Sequence, residues 1–259
     1  MSETDNKITS YFDTRTTVRR YSDKPVTPEL INSLLASAAH APTTGNMQLY
    51  SVIVTTSPEG KAALSPAHFN QPQVKNAPVV LTFCADFHRF CRWCEERDAR
   101  AGYDNFQSFV TAMIDTVILA QQFVTLAELS GLGTCYLGTT TYNAPQIAEA
   151  LSLPEMVIPV TTVTVGWPEE KGEDCGRIPA NAFIHQETYS DYDAQRINDI
   201  YAEKEARADS MKFVAENNKQ TLAQVFTDVR YTREANTYFS QVYRDFINRH
   251  GFPFPPVEE

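Results

Sequence analysis

Arg15-Thr16-Thr17-Val18-Arg19 is the stretch on which the assignment of the fold depends. It places two guanidinium groups and two hydroxyls within five residues. If the backbone is extended, the side chains of Arg15, Thr17 and Arg19 point to the same face. Guanidinium groups bind phosphate through paired hydrogen bonds, so this face suits a phosphate monoester. A solvated basic surface turn explains the same five residues, and the stretch alone does not separate the two interpretations.

The composition is that of a folded, acidic protein. The chain has 259 residues, of which 42% are hydrophobic, with 15 Phe and 12 Tyr. This is enough apolar surface for one large domain or two smaller ones. The formal net charge is -10. A nucleic-acid-binding surface would need a basic footprint, so we expect no nucleic-acid partner and interpret the local basic stretch as a site for a small anion.

Location and membrane association are also predicted from the sequence. The start, Met1-Ser-Glu-Thr-Asp5, has neither the basic nor the apolar segment of a signal peptide. The most apolar long stretch, residues 109–129, carries Asp115, Gln121, Gln122 and Glu128, which favours a buried helix over a membrane span. Five cysteines are an odd number without an export signal, which favours reduced thiols. We therefore expect a cytoplasmic protein with no membrane partner.

Hydrophobic periodicity predicts interleaved helices and strands. Apolar runs predict strands over residues 49–56, 78–84, 134–137 and 157–165. Helical spacing predicts helices from residue 27 to 42, at 58–64, from 106 to about 130, and from 143 to 154. Residues 169–190 have little periodicity, and residues 191–250 are helical and polar. The fold class is therefore α+β, of the α/β type, with a central sheet flanked by helices.

An ordered series of short motifs links the sequence to a known family. The motifs are Arg15-x-Thr17-x-Arg19, Ala41-Pro-Thr-Thr-Gly-Asn-x-Gln48, Gln71-x-Gln73, Ala77-Pro-Val-Val, Phe83-Cys-Ala-Asp86, Ala120-Gln, Gly131-Leu-Gly-x-x-Tyr-Leu-Gly138, Leu153-Pro, Pro159, Gly166-Trp-Pro168 and Arg177-x-Pro179. Each motif alone is weak, but the ordered set over residues 11–185 is specific. The chain resembles the FMN-dependent nitroreductase and flavin reductase superfamily. It is most similar to the major oxygen-insensitive, NADPH-dependent nitroreductase group.

The resemblance implies an architecture. It implies a central mixed, mainly antiparallel β-sheet wrapped by helices, in an intertwined homodimer with FMN at each subunit interface. Residues 1–190 would form the FMN-binding core, and the helix at 105–130 would belong to the core of the dimer. Residues 191–259 would form a C-terminal helical extension of the same domain that embraces the partner subunit. A solvated helical tail also fits the composition of these last residues.

The resemblance also assigns the cofactor-binding residues. Arg15, Thr16, Thr17 and Arg19 would hold the phosphate and ribityl end of FMN, and Arg177 would reach the phosphate from a later loop. Such converging guanidinium groups would repel one another without an anion. Along the isoalloxazine ring the resemblance places Thr43, Gly45 and Asn46, with Gln71 and Gln73 at the ribityl or pyrimidine edge. Leu137, Gly138 and Thr139 would form the loop whose backbone N–H reaches flavin N5, and Tyr136 belongs either to this site or to the core.

The implied activity is that of an NAD(P)H-dependent oxidoreductase. Electrons would pass from NADPH or NADH through flavin N5 to a small-molecule acceptor (a nitroaromatic, a quinone or a flavin) with ping-pong kinetics. No side-chain acid or base is required. Two departures affect the details. Cys175 stands where the group usually has a lysine, two residues before Arg177. Arg230 and Arg233 are the nearest candidates for the NAD(P)H phosphate, in a dissimilar context, so the preference between NADPH and NADH stays open.

Three alternatives remain at this point. The same cleft would serve a non-catalytic FMN-binding or redox-sensing carrier. Cys91-Arg-Trp-Cys94, near Cys84 and His88, has the spacing of a zinc knuckle, but no second such pair exists, so ordinary reduced thiols and no metal are expected. Asp115 would be either a buried functional carboxylate or a residue that caps an element or pairs across the dimer interface.

Overall fold

The structure, a computed structural model, describes the backbone of residues 3–254 and the side chains of residues 9–254. The chain divides into two compact units. The first contains the described parts of residues 1–173 and 239–259, and the second is Asp174–Tyr238. The boundary expected at residue 190 falls inside the second unit.

Eleven α-helices and four strands are present in the described residues. The helices are α1 (Glu3–Thr14), α2 (Pro28–Ala38), α3 (Pro58–Leu64), α4 (Pro72–Asn76), α5 (His88–Glu95), α6 (Phe106–Leu129), α7 (Ala144–Ala150), α8 (Ala194–Ala206), α9 (Ala208–Glu216), α10 (Leu222–Val225) and α11 (Arg233–Arg249). The strands are β1 (Tyr50–Thr55), β2 (Val79–Asp86), β3 (Gly133–Leu137) and β4 (Val157–Gly166). Short 3-10 turns occur at Thr44–Asn46, Pro66–His68 and Ala180–Ala182, and a π-helical turn at Phe226–Arg230.

The four strands form one sheet in the order β1-β2-β4-β3. Its three pairings are all antiparallel, with Tyr50 opposite Ala85, Val79 opposite Val165, and Gly133 opposite Gly166. The α+β class and the mainly antiparallel sheet are therefore confirmed. The mixed character was expected, but no parallel pair occurs among the described strands.

Helix α6 packs on the sheet and forms the centre of the first unit. Phe123 and Leu119 of α6 are buried against Phe83 of β2, and the rings of Phe83 and Phe123 lie 5.9 Å apart. Helix α2 adds Ile31 and Ala38 to the same cluster. β2 is buried at every position, which explains why its sequence is largely apolar, with Thr82 and Asp86 as the exceptions. The burial of this cluster supplies the main stabilisation of the first unit.

The end of α11 is part of the core of the first unit. Phe246 and Ile247 are buried, and so is Phe252, which follows Gly251 in a left-handed conformation (φ 98°). Phe252 packs against Phe109 of α6 at a ring distance of 5.7 Å. The alternative of a solvated tail is therefore wrong for Phe246, Ile247 and Phe252.

Among the described residues one helix, α6, is long and apolar enough to cross a membrane by length and composition. Its packing identifies it as a core helix. Asp115 lies in its middle with 1% of its surface exposed and holds a neighbouring loop through hydrogen bonds. The prediction of a buried helix is consistent with this arrangement.

Candidate functional site

The basic segment 15–19 runs beside strand β3. The N–H of Val18 donates to the carbonyl oxygen of Thr134 at 3.0 Å, and the Val18 side chain is buried. A Cβ on Gly133 would lie 2.6 Å from the Cβ of Val18, so only glycine allows this approach. Thr17 is similarly close to Gly172, where an added Cβ would lie 2.1 Å from the Thr17 carbonyl oxygen. The backbone of the segment is thus held in place by its neighbours.

The two arginines of this segment have different surroundings. Arg15 forms a two-point ion pair with Glu128 of α6, at 3.0 Å from Nε to Oε2 and 3.1 Å from Nη2 to Oε1. The same carboxylate also accepts hydrogen bonds from the hydroxyls of Tyr11 and Thr134. Arg19 is exposed and forms no salt bridge within the described residues. An intramolecular carboxylate therefore balances Arg15 without any bound anion, and Arg19 is the cation available to a phosphate.

Cys135 of β3 lies against these arginines. Burial raises the pKa of its thiol, while Arg19 and Arg15 act in the opposite direction. The thiol therefore stays protonated near neutral pH and is not a nucleophile. Tyr136 is half-buried, and burial raises the pKa of its hydroxyl to about 12. That hydroxyl donates to the side-chain oxygen of Gln121 at 3.4 Å, so Tyr136 contacts α6 at the edge of the core.

A 3-10 turn at Thr44–Asn46 forms the second candidate segment. Asp115 accepts the N–H of Thr44 at 3.0 and 3.2 Å and its hydroxyl at 3.0 Å. Gly45 and Asn46 follow with φ values of 55° and 57°, in the left-handed region. Both are exposed, whereas Asp115 is buried. Asp115 therefore acts as a cap within its own chain, and the turn it holds presents small side chains to solvent.

Two glutamines form the third segment. Gln73 is buried in α4, and its side-chain amide donates to the side-chain oxygen of Gln71 at 2.7 Å. Gln71 is half-buried and precedes the helix. The pair is joined to the rest of the site through the preceding turn, because the N–H of Gln71 donates to the carbonyl oxygen of His68 at 3.1 Å.

The turn after β3 opens to solvent at Gly138. Leu137 is buried in a cluster with Leu64 and Ile147, so the strand end is fixed. A Cβ built on Gly138 would meet no atom within 4 Å, which means that open space lies beside this backbone. The next residue, Thr139, is half-buried, and its hydroxyl lies 2.8 Å from Nδ1 of His68. The turn could therefore border a planar group without steric hindrance.

His68 was not among the residues selected from the sequence. It is completely buried, and burial lowers the pKa of its imidazole to about 4. Its Nε2 has no hydrogen-bond partner within the described residues. An isolated histidine has no sequence signature, because its partner Thr139 lies 71 residues away.

Two of the three predicted residues of the second unit, Arg177 and Arg230, line a cavity within that unit. The cavity has a volume of about 440 Å³, and its lining includes Arg177, Lys204, Arg230, Phe213 and Phe226. The guanidinium of Arg230 lies 4.3 Å above the ring of Phe213. Arg233, at the start of α11, is exposed and is not part of the lining. The structure thus brings Arg177 and Arg230 to one cationic and aromatic cavity.

The cysteine motif does not form a metal centre. Across the residues that the structure describes, no group of three His, Cys, Asp or Glu side chains could hold a metal ion. Cys91 and Cys94 lie on α5, and none of the five cysteines, all within the described range, forms a disulfide.

Comparison with known proteins identifies the family. The sequence model of the nitroreductase family matches residues 13–167. The chain belongs to the nitroreductase family. This confirms the resemblance drawn from the motifs, and the matched range contains the segments around Arg15–Arg19, Thr43–Asn46, Gln71–Gln73 and Leu137–Thr139.

Individual relatives match this chain over two thirds of its length or more. A solved putative oxidoreductase from Bacteroides fragilis is 54% identical, with a TM-score of 0.93 over 94% of this chain and 99% of that one. The FMN reductase (NADPH) of Bacillus subtilis is 33% identical over 67% of this chain and 70% of its own length. The FMN reductase [NAD(P)H] of the same organism is 28% identical over 95% of this chain and 98% of its own length.

Proposed function

We propose that this nitroreductase-family protein is an FMN-dependent NAD(P)H oxidoreductase that reduces nitroaromatics, quinones or flavins. The observation that carries the proposal is the family match over residues 13–167 together with the position of its key segments along β3. The phosphate-binding candidates lie beside Thr134, and the open turn at Gly138 ends the same strand. Four residues of strand, about 13 Å, separate the two.

The described residues fit a bound FMN. Arg19 offers the phosphate a guanidinium that forms no salt bridge within the described residues, and the hydroxyls of Thr16 and Thr17 lie on the same segment. The space beside Gly138 would admit a planar ring next to a backbone that carries no side chain. The half-buried Thr43, the exposed Gly45 and Asn46, and the amides of Gln71 and Gln73 would supply the polar contacts.

When bound, FMN would supply the two-electron chemistry, accepting hydride from NADPH or NADH and passing it to the acceptor. The protein residues then have binding and orienting roles. No acid or base from a side chain is required for this transfer. We propose that the cavity of the second unit takes the anionic part of NAD(P)H, with Arg230 as the main contact and Arg233 in a lesser role.

Rapid-mixing spectroscopy tests this function. Protein loaded with FMN should lose its visible flavin absorbance on mixing with NADPH or NADH under anaerobic conditions. Addition of a nitroaromatic or a quinone should then restore it. A carrier protein would retain the absorbance on the timescale of turnover, and this result would overturn the proposal of an enzyme.

We also propose that the protein is a homodimer. Ile114, Val117 and Ile118 of α6 are between 37% and 50% exposed and follow helical spacing, so one apolar face of this helix is open to solvent. An exposed apolar face of this kind is typical of a subunit interface. Light scattering after size exclusion should give twice the chain mass, 2 × 29.1 kDa. Ile114→Glu should weaken the dimer and Ile114→Val should not, whereas a monomeric wild type would refute the proposal.

We propose that the protein is cytoplasmic, because Cys84, Cys91, Cys94 and Cys135 form no disulfide, as is usual in a reducing compartment. Fractionation of cells that express the full chain would test this placement. Recovery of the protein outside the cytosolic fraction would contradict it.

A further inference from the structure

His68 is held by a tight turn that directs its side chain into the protein. It ends the 3-10 turn Pro66–His68, and Phe69 and Asn70 follow with φ values of 52° and 54°. The N–H of Asn70 donates to the carbonyl oxygen of Ser65 at 2.9 Å and closes the turn. Residues other than glycine rarely adopt this conformation, so the surrounding contacts must determine it. His68 is consequently buried while Phe69 is exposed.

His68 joins two segments of the proposed flavin site. Its carbonyl oxygen accepts the N–H of Gln71, and its Nδ1 lies 2.8 Å from the hydroxyl of Thr139. A second contact connects the same elements, because the side-chain amide of Asn143 donates to the carbonyl oxygen of Ala67 at 2.8 Å. The glutamine segment and the turn after β3 are therefore held together through residues 67 and 68.

The imidazole is neutral, so it has one donor and one acceptor nitrogen. The lowered pKa has burial as its cause, and no charged neighbour opposes it. With hydrogen on Nε2, a buried donor would lack a partner, since Nε2 has none within the described residues. With hydrogen on Nδ1, that nitrogen donates to Thr139, and only the acceptor Nε2 lacks a partner. Buried donors without partners are rarer than under-satisfied acceptors, which favours hydrogen on Nδ1.

We propose that His68 is a positioning residue of the flavin site, which donates from Nδ1 to the hydroxyl oxygen of Thr139. The hydroxyl hydrogen of Thr139 is then directed away from His68, toward an acceptor atom of a heteroaromatic ring beside Gly138. This inference rests on the proposed binding of FMN in that space. It gives the buried histidine a role that a purely structural core residue would not have.

Three substitutions at His68 separate positioning from packing. Asparagine places an amide nitrogen near the position of Nδ1, glutamine places one near Nε2, and leucine places none. His68→Asn should keep the FMN dissociation constant and the flavin midpoint potential close to wild type. His68→Gln and His68→Leu should weaken FMN binding roughly three- to tenfold, the effect of one hydrogen bond. Equal behaviour of all three variants would overturn the proposal.

A double-mutant cycle tests the partner. Thr139→Val should weaken FMN binding as much as His68→Leu, and the double variant should be no weaker than either single variant. Thr139→Ser keeps the hydroxyl and should remain near wild type. Additive losses would show that the two side chains act independently, against the proposal.

Nitrogen-15 NMR of the imidazole in the wild-type protein gives a readout that needs no variant and no flavin. The shifts should show hydrogen on Nδ1 of His68, and hydrogen on Nε2 would overturn the assignment even if a variant failed to fold. Absence of FMN binding by wild-type protein would instead refute the proposed function. Normal FMN binding with an indifferent His68 would refute only this inference.

Discussion

Replacement of Glu128 by glutamine should destabilise the protein, because it leaves Arg15 without its counter-charge. The Glu128 side chain is 8% exposed, and that of Arg15 is 22% exposed. The carboxylate also accepts from Tyr11, and burial together with this hydrogen bond raises the pKa of the Tyr11 hydroxyl. Removal of one partner of a buried ion pair costs about 3–5 kcal/mol. Since Arg15 keeps some contact with water and glutamine keeps one acceptor oxygen, we expect a loss of about 2–3 kcal/mol.

Thermal unfolding measures this loss. For a chain of this size it corresponds to a decrease in Tm of about 4–12 °C. Glu170→Gln is the matched control, because Glu170 pairs with Arg20 at the surface, with 58% and 70% of the two side chains exposed. That change should alter the stability by less than about 1 kcal/mol. If the Tm of Glu128→Gln equals that of Glu170→Gln, the reasoning about Arg15 is refuted.

Glu128→Gln should also change how the protein responds to a ligand that carries a phosphate. The unpaired Arg15 would become available to an anion on the same segment as Arg19. Saturating FMN should therefore raise the Tm of Glu128→Gln by more than it raises that of the wild type. Riboflavin, which lacks the phosphate, should not show this difference. If the extra increase in the Tm of Glu128→Gln over that of the wild type is the same with FMN and with riboflavin, Arg15 does not face the phosphate.

Three further predictions concern other parts of the site. The folded-state pKa of His68, about 4, lies below its ordinary value of 6.5. Between these two pH values the unfolded chain binds a proton that the native state does not, so the free energy of unfolding should fall by about 3 kcal/mol from above pH 6.5 to pH 4. Denaturant titrations should show a smaller loss over this pH range in His68→Asn. Asp115→Asn should weaken FMN binding and lower the free energy of unfolding by about 1–2 kcal/mol, because the amide retains only one acceptor oxygen. Thr44→Val should have a smaller effect, because it removes the hydroxyl and keeps the backbone N–H that Asp115 accepts. Equal effects of the two variants in denaturant titrations would argue against a cap by the charged group. Arg230→Ala should raise the KM for NADPH about tenfold or more with little change in kcat, as expected for loss of a charge-assisted contact. Arg233→Ala should have less effect on the KM. An unchanged KM for Arg230→Ala in steady-state kinetics would refute the proposal that this cavity binds NAD(P)H.

Local periodicity was sufficient to predict the main elements of the fold. The helical spacing of apolar residues in α6 and the mostly apolar sequence of β2 are both visible in the sequence, because α6 buries one face and β2 buries both. The π-helical turn at Phe226–Arg230 was not predicted, because it is determined by packing and has no pattern of its own. The role of the chain end was also open until Phe246 and Phe252 were found in the core of the first unit.

The segments of the candidate site were selected from the sequence, whereas two residues that the structure joins to them were not. Segments that carry motifs, such as Arg15–Arg19 and the turn at Gly138, were selected by their residue types. Glu128 and His68 were not selected, since their partners lie 113 and 71 residues away in the sequence. Pairing at such separations is a property of the folded chain. The expected requirement of Arg15 for a bound anion failed for this reason, because Glu128 supplies the negative charge.

The most direct test of the central claim is a comparison of FMN with riboflavin as ligands of the flavin-free protein. Fluorescence titration should show saturable binding of FMN that is at least about tenfold tighter than that of riboflavin, as one charge-assisted phosphate contact would give. Arg19→Ala should remove most of this difference. Absence of FMN binding, or equal affinity for the two flavins in the wild type, would contradict the account.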